Sequence, residues 1–172
     1  GTAAELQDRR FKNDTALHCH LAFNVTRNLI DGYRYYAYQL PVWITEGVSH
    51  WFERRVSPRW NTVSESIGTM GDRRSVWQWE KLAGELAIEA DSPSFRDVYT
   101  WRDAADLGFE DHVLIWSRID FLMARGQEPF ARFMSKLKKR SSRDVLALTR
   151  QALDSAYGLN VVGLDYAWIE GL

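Results

Sequence analysis

The sequence predicts a mainly α-helical domain. Three observations lead there. Apolar residues recur at helical spacing along most of the chain, no alternating run is long enough to make a convincing strand, and Pro and Gly divide the chain into helix-length pieces. The 172 residues fit one domain, 1–172. A chain of that length buries roughly two-thirds of its unfolded surface, so its core needs no disulfide or metal.

The elements follow in order. Asp14 or Thr15 caps a first helix running to about Ile30, where Asp31-Gly32 stops it. An aromatic connector follows, and Pro41 opens a second helix of about Val42 to Arg55, proline being suited to a first turn. Residues 57–72 hold Pro58, Gly68 and Gly71 and read as irregular, with room for at most a small hairpin. A third helix covers about Arg74 to Ala90, and a short helix or turn Phe95 to Trp101. A long helix spans about Phe109 to Arg125 and stops at Gly126. Pro129 starts the next, whose basic end at Lys136 to Arg140 suits a helix C-terminus. Ser141 and Asp144 resemble a cap for a helix ending at Gly158, and a last helix carries Val161, Leu164 and Trp168 on one side. That makes about six to seven helices. The first is expected at the centre, because Leu17, Leu21, Val25 and Leu29 form one apolar stripe and Cys19, Phe23 and Ile30 a second.

Composition excludes several roles. Lys plus Arg is 22 and Asp plus Glu is 23, so the chain lacks the basic field of a nucleic-acid binder. No apolar run approaches the ~20 residues of a membrane span. The single cysteine, Cys19, excludes an internal disulfide and a four-cysteine zinc site. There is no phosphate loop, nucleophile elbow or CxxC pair. No secretory leader is visible, and periplasmic, secreted and cytoplasmic settings all stay open. Eight tryptophans stand out, at 43, 51, 60, 77, 79, 101, 116 and 168, as large rings for a helical core or as the walls of a cleft.

Chemistry concentrates on few residues. On the first helix His20, Asn24 and Arg27 share the polar strip, while His18 and Ala22 lie inside the apolar stripe. On the second, Glu46, His50 and Glu53 share a face at i, i+4 and i+7, which faces either solvent or the same cleft as His20. His112 sits on an apolar side with Ile115, Trp116, Ile119 and Met123, as a core histidine or a pocket lining. The acidic group Asp103, Asp106, Glu110 and Asp111 suits a loop and helix N-terminus.

The segment Leu40-Pro-Val-Trp-Ile-Thr-Glu-Gly-Val-Ser-His-Trp-Phe-Glu53 resembles the helix of gluzincin zinc metallopeptidases that carries the third metal ligand. On that likeness Glu46 takes the ligand place, and the whole chain resembles the helical half of a zincin-like fold. Residues 112–133 are similar to that family's later helix pair, and 156–168 to its C-terminal helix. The family's HExxH is absent. One register puts His20-Leu-Ala-Phe-Asn24 in its place, so Leu21 replaces the base and Asn24 the second histidine. The other puts His18-Cys-His-Leu-Ala22 there. The first is preferred, since His20 and Asn24 lie on the polar strip. His50 stands where the family often has an acidic residue that orients a ligand histidine.

Zinc hydrolysis needs three protein ligands and a carboxylate base, and leucine supplies neither. The resemblance therefore implies an inactive, pseudo-peptidase domain that binds a peptide or protein through a vestigial cleft of His20, Leu21, Asn24, Glu46, His50 and His112. No cofactor is expected, and zinc at most at low occupancy on His20 and Glu46. The alternatives are an active zinc-dependent hydrolase with a non-standard site of His20, Glu46, His50 and His112, and a structural helical domain.

Overall fold

The computed structural model describes residues 14–33, 40–63, 77–89, 91–101, 103–138 and 145–172. Among these it is all α: α1 (Asp14–Gly32), α2 (Val42–Val56), α3 (Trp79–Ala87), α4 (Phe95–Val98), α5 (Phe109–Ala124), α6 (Gln127–Leu137), α7 (Val145–Tyr157) and α8 (Val161–Ile169), with a 3-10 turn at Ala104–Asp106. No strand occurs among the described residues. No helix there is long and apolar enough to cross a membrane. The expected hairpin falls largely on residues 64–72, and the expected cap at Ser141 and Asp144 on residues 139–144, all outside the described residues.

Helix ends follow local chemistry. Pro41 is the N-cap of α2 with φ −53°. Gly126 (φ 119°) sits between α5 and α6, and Gly158 (φ 68°) follows α7, both in backbone conformations that side chains with a Cβ resist. Ser94 and Asp97 form a capping box at α4. Asn160 caps α8, accepting from the Gly163 N–H at 2.8 Å.

The central helix is α2, not the first helix as the pattern predicts. Ten of its fifteen residues are buried, from Trp43 through His50 and at Glu53 and Arg54. It packs against α1 on one side and α5 on the other. α1 contributes one buried face, Ala16, Cys19, His20 and Phe23. Its stripe of Leu21, Val25 and Leu29 is 45%, 52% and 69% exposed. An apolar stripe shows that a face could be buried, while the chain decides which face meets a neighbour; here α1 turns its Cys19–Phe23 side to α2.

The core is aromatic. Trp43 packs on Phe95, Tyr99 and Phe133 with ring centroids 5.5–6.2 Å apart. A second group joins Trp79 to Phe109 and Trp116, both at 5.7 Å. Each such ring buried contributes about 1.5–3 kcal/mol. Four tryptophans (43, 79, 116 and 168) are thus core, while Trp60 and Trp77 are exposed.

Candidate functional site

α1 and α2 run antiparallel, and three contacts fix their register. Arg27 meets Glu46 at 3.2 Å, Phe23 stacks on His50 at 4.8 Å, and His20 acts electrostatically on Glu53. The i, i+4, i+7 face of α2 is therefore turned inward: Glu46 is 1% exposed, His50 and Glu53 0%.

Gly47 is what allows α5 so close. A Cβ there would lie 2.6 Å from Ile119 Cγ1 and 2.9 Å from the Ile115 carbonyl oxygen, so no side chain fits. This close crossing brings His112, also 0% exposed, onto His50. His50 Nε2 lies 3.0 Å from His112 Nδ1, and His50 Nδ1 lies 2.9 Å from Glu53 Oε2. Glu53 Oε1 accepts from the Thr62 N–H at 2.7 Å and its hydroxyl at 2.5 Å. Half-buried Thr62 and the buried Glu53, His50 and His112 form one chain. It runs with the protons in either direction, since each imidazole has one donor and one acceptor nitrogen when neutral.

Neutrality is what burial dictates. It pushes His50 down to about 3, helped by the Arg54 charge, and His112 well below the usual histidine range. The same cause pushes Glu53 up to about 8 against the two Thr62 donors, and raises Glu46 against the Arg27 charge. Arg54 closes the far end, lying 4.4 and 4.7 Å over the Trp79 and Trp116 rings and donating to the Pro58 and Trp77 carbonyls.

Glu46 is also the floor of a cleft of about 440 Å³, lined among others by Arg27, Asp31, Tyr99, Trp101 and Asp103. Although Arg27 Nη1 is 3.2 Å from Glu46 Oε1, neither Glu46 oxygen accepts an aligned hydrogen bond. His112 Nε2, buried in the same neighbourhood, has no partner either. Glu46, His50 and His112 each offer a ligand atom, all within 4.8 Å of one another.

The other expected site residues lie elsewhere. His20 is buried and contacts Asn24, whose amide nitrogen is 3.1 Å from His20 Nε2 and 2.9 Å from its carbonyl oxygen. Leu21 is 45% exposed, and His18 is exposed. Cys19 is buried on Ser57 O at 3.8 Å, its thiol pushed up to about 11 by burial and by Glu53. On α1 the residue that meets Glu46 is Arg27, one helical step pair beyond Asn24 on the strip it shares with His20. The residues that sequence reasoning did not assign to the site are Arg27, Glu53 and Thr62. The first two share faces with assigned residues; Thr62 is a loop residue with no pattern to mark it.

The ligand set of the resembling family is therefore not what gathers here. His20 and Asn24 pair with each other, and the donors that cluster with Glu46 are His50 and His112. Comparison of the chain with protein-family models, with curated proteins and with solved structures finds no match.

Proposed function

We propose that this domain is a binding module without peptidase activity, and that its cleft takes a positively charged group onto Glu46. The observation that carries this is the Glu46 carboxylate: buried to 1%, at the floor of a cleft, with no aligned hydrogen bond to either oxygen. A buried carboxylate without donors favours a counter-cation strongly. Arg27 supplies one now, and its side chain is 40% exposed, so an incoming cation can displace it. Asp31 and Asp103 add negative charge to the walls, and Tyr99 and Trp101 add rings for a cation or an apolar stem. A lysine-bearing or amino-terminal segment of a peptide has this chemistry. The inactivity rests on the resemblance to gluzincins, which in its preferred register puts Leu21 in the place of the catalytic carboxylate.

The test is direct. Labelled lysine-containing peptides are titrated by fluorescence anisotropy, and an unstructured protein is offered as a cleavage substrate. Saturable binding that weakens at least tenfold in Glu46→Gln, with no cleavage above blank, is the expected result. Absence of binding by every cationic peptide sinks the reading. Cleavage that disappears in Glu46→Gln selects the hydrolase instead.

A further inference from the structure

We propose that Glu46, His50 and His112 form a binding site for one divalent transition-metal ion of the zinc type. The proposal rests on the reading that Glu46 receives a cation, and it names which cation the deep end of the cleft fits.

The donor set comes first. One carboxylate oxygen and two imidazole nitrogens, with a fourth position left to the cleft, are a set that zinc takes. The three ligand atoms lie within 4.8 Å of one another. Four-coordinate zinc, with bonds of about 2.0–2.2 Å, holds its ligand atoms about 3.3–3.6 Å apart. The His50–His112 separation of 3.0 Å is a few tenths short of that, so the rings part slightly. Glu46 closes the remaining gap by turning about its own side-chain bonds.

The surroundings are the independent observation. A metal-ligating histidine usually gives its other ring N–H to a carboxylate, which fixes the ring and strengthens it as a ligand. His50 already has this partner: Glu53 Oε2 lies 2.9 Å from Nδ1, leaving Nε2 as the ligand atom. Glu53 is held in turn by Thr62. The Glu46 oxygens point the same way, since both are buried and accept no aligned hydrogen bond, with the Arg27 charge beside one of them. The cluster is buried, Glu46 to 1% and both histidines to 0%, unlike exposed acidic groups that collect ions adventitiously. On the Glu46 side, which lines the cleft, Arg27 stands as a competing cation.

The site uses different residues from those that the HExxH resemblance points to. Glu46 is common to both, but the nitrogens come from α2 and α5, and α1 supplies the competitor.

The experiment uses the full chain, stripped with a chelator, and metal alone as the probe. Zinc is titrated by calorimetry and cobalt(II) by visible absorption. The expected result is one ion per chain, with the intense visible bands of a four-coordinate cobalt centre. Glu53→Gln weakens binding by about 10–100-fold, the effect of losing a ligand's orienting partner. His112→Gln weakens it at least as much. Arg27→Gln strengthens it, by no more than roughly fivefold, because a half-exposed ion pair is weak. Should the buried variants fail to fold, nitrogen NMR of wild-type histidine rings decides: zinc shifts His50 and His112 and leaves His18 unmoved. Folded wild type that binds neither ion overturns the proposal, as does zinc that binds without moving those two rings. If cationic peptides still bind in a Glu46-dependent way, the metal site alone has failed; if they too are not bound, the reading of the cleft falls with it.

Discussion

His112 and Arg118 stand six residues apart on α5, both 0% exposed, and their surroundings treat them in opposite ways. Arg118 is held by fixed partners at all but its Nε, which is buried without one. Its guanidinium donates to the Pro93 carbonyl and, at 3.4 Å, to the Leu114 carbonyl, and lies 4.0 Å over Trp168 and 5.1 Å over Phe95. The Asp165 carboxylate, which accepts from the Phe95 N–H at 2.9 Å, supplies the countercharge. Burial lowers Arg118 only to about 10, so it remains a cation at neutral pH. His112 has instead given up its charge, has one ring nitrogen on His50, and keeps the other without a partner. Arg118 is a cation whose two terminal nitrogens donate to carbonyls and whose guanidinium rests on rings of α4 and α8, with only its Nε lacking a partner. His112 holds coordinating capacity in reserve. Burial of a polar group is thus two different things: a fastening where the partners are permanent, and a site where they are not.

The largest expected effect tests the fastening. Arg118→Met leaves the Pro93 and Leu114 carbonyls without their charged donor and destabilises the fold by about 2–4 kcal/mol in urea unfolding, the cost of leaving buried acceptors of a charged group unpaired. His112→Gln, which removes no charge, costs about 1–2 kcal/mol. Equal losses would erase the distinction.

Acid sharpens it next. The folded pKa values of His50 and His112 lie below the unfolded 6.5, so between there and about 3 the unfolded chain binds more protons. Stability therefore falls as pH drops below 6.5, by up to about 1.4 kcal/mol per pH unit for each imidazole. Glu53 acts oppositely: its folded pKa, about 8, lies above the unfolded 4.5, so its stabilising protonated state is lost as pH rises through 8. The optimum falls near neutrality. Urea midpoints from pH 4 to 9 check this. His112→Gln flattens the acid limb, while a conservative change at Arg118, charged in both states across that range, lowers the curve without altering its shape.

A smaller effect addresses the crossing that makes the His50–His112 contact. Gly47→Ala forces its Cβ against Ile119 and the Ile115 carbonyl, and costs about 1–3 kcal/mol as overpacking. It also parts the two histidines. A midpoint equal to wild type would mean that α2 and α5 have room to spare.

Much of the fold was legible because helix ends are local. Pro41, Gly126 and Gly158 mark boundaries by their own backbone geometry. Orientation was not. The stripe of Leu21, Val25 and Leu29 has helical spacing whether or not a neighbour covers it, so periodicity placed α1 at the centre and packing placed α2 there. The site divided in the same way. Glu46, His50 and Glu53 are visibly one face of a helix, but an i, i+4, i+7 polar face looks the same turned outward or inward. What turns it inward is a glycine crossing with α5 and a histidine 62 positions away. Thr62 sits in a loop, where no period exists to read.

The Arg27–Glu46 pair has one further consequence, because its two halves stand in different media. The guanidinium is partly in water and the carboxylate is not. Dissolved ions screen the exposed partner over a length of about 8 Å at physiological strength and about 3 Å at 1 M. The Glu53–His50 contact deeper in the fold is closed to them, both groups being 0% exposed. Ionic strength therefore acts as a dimmer on the mouth of the cleft alone. It loosens the tether between the first two helices at Glu46, and leaves the hydrogen-bonded chain behind it untouched.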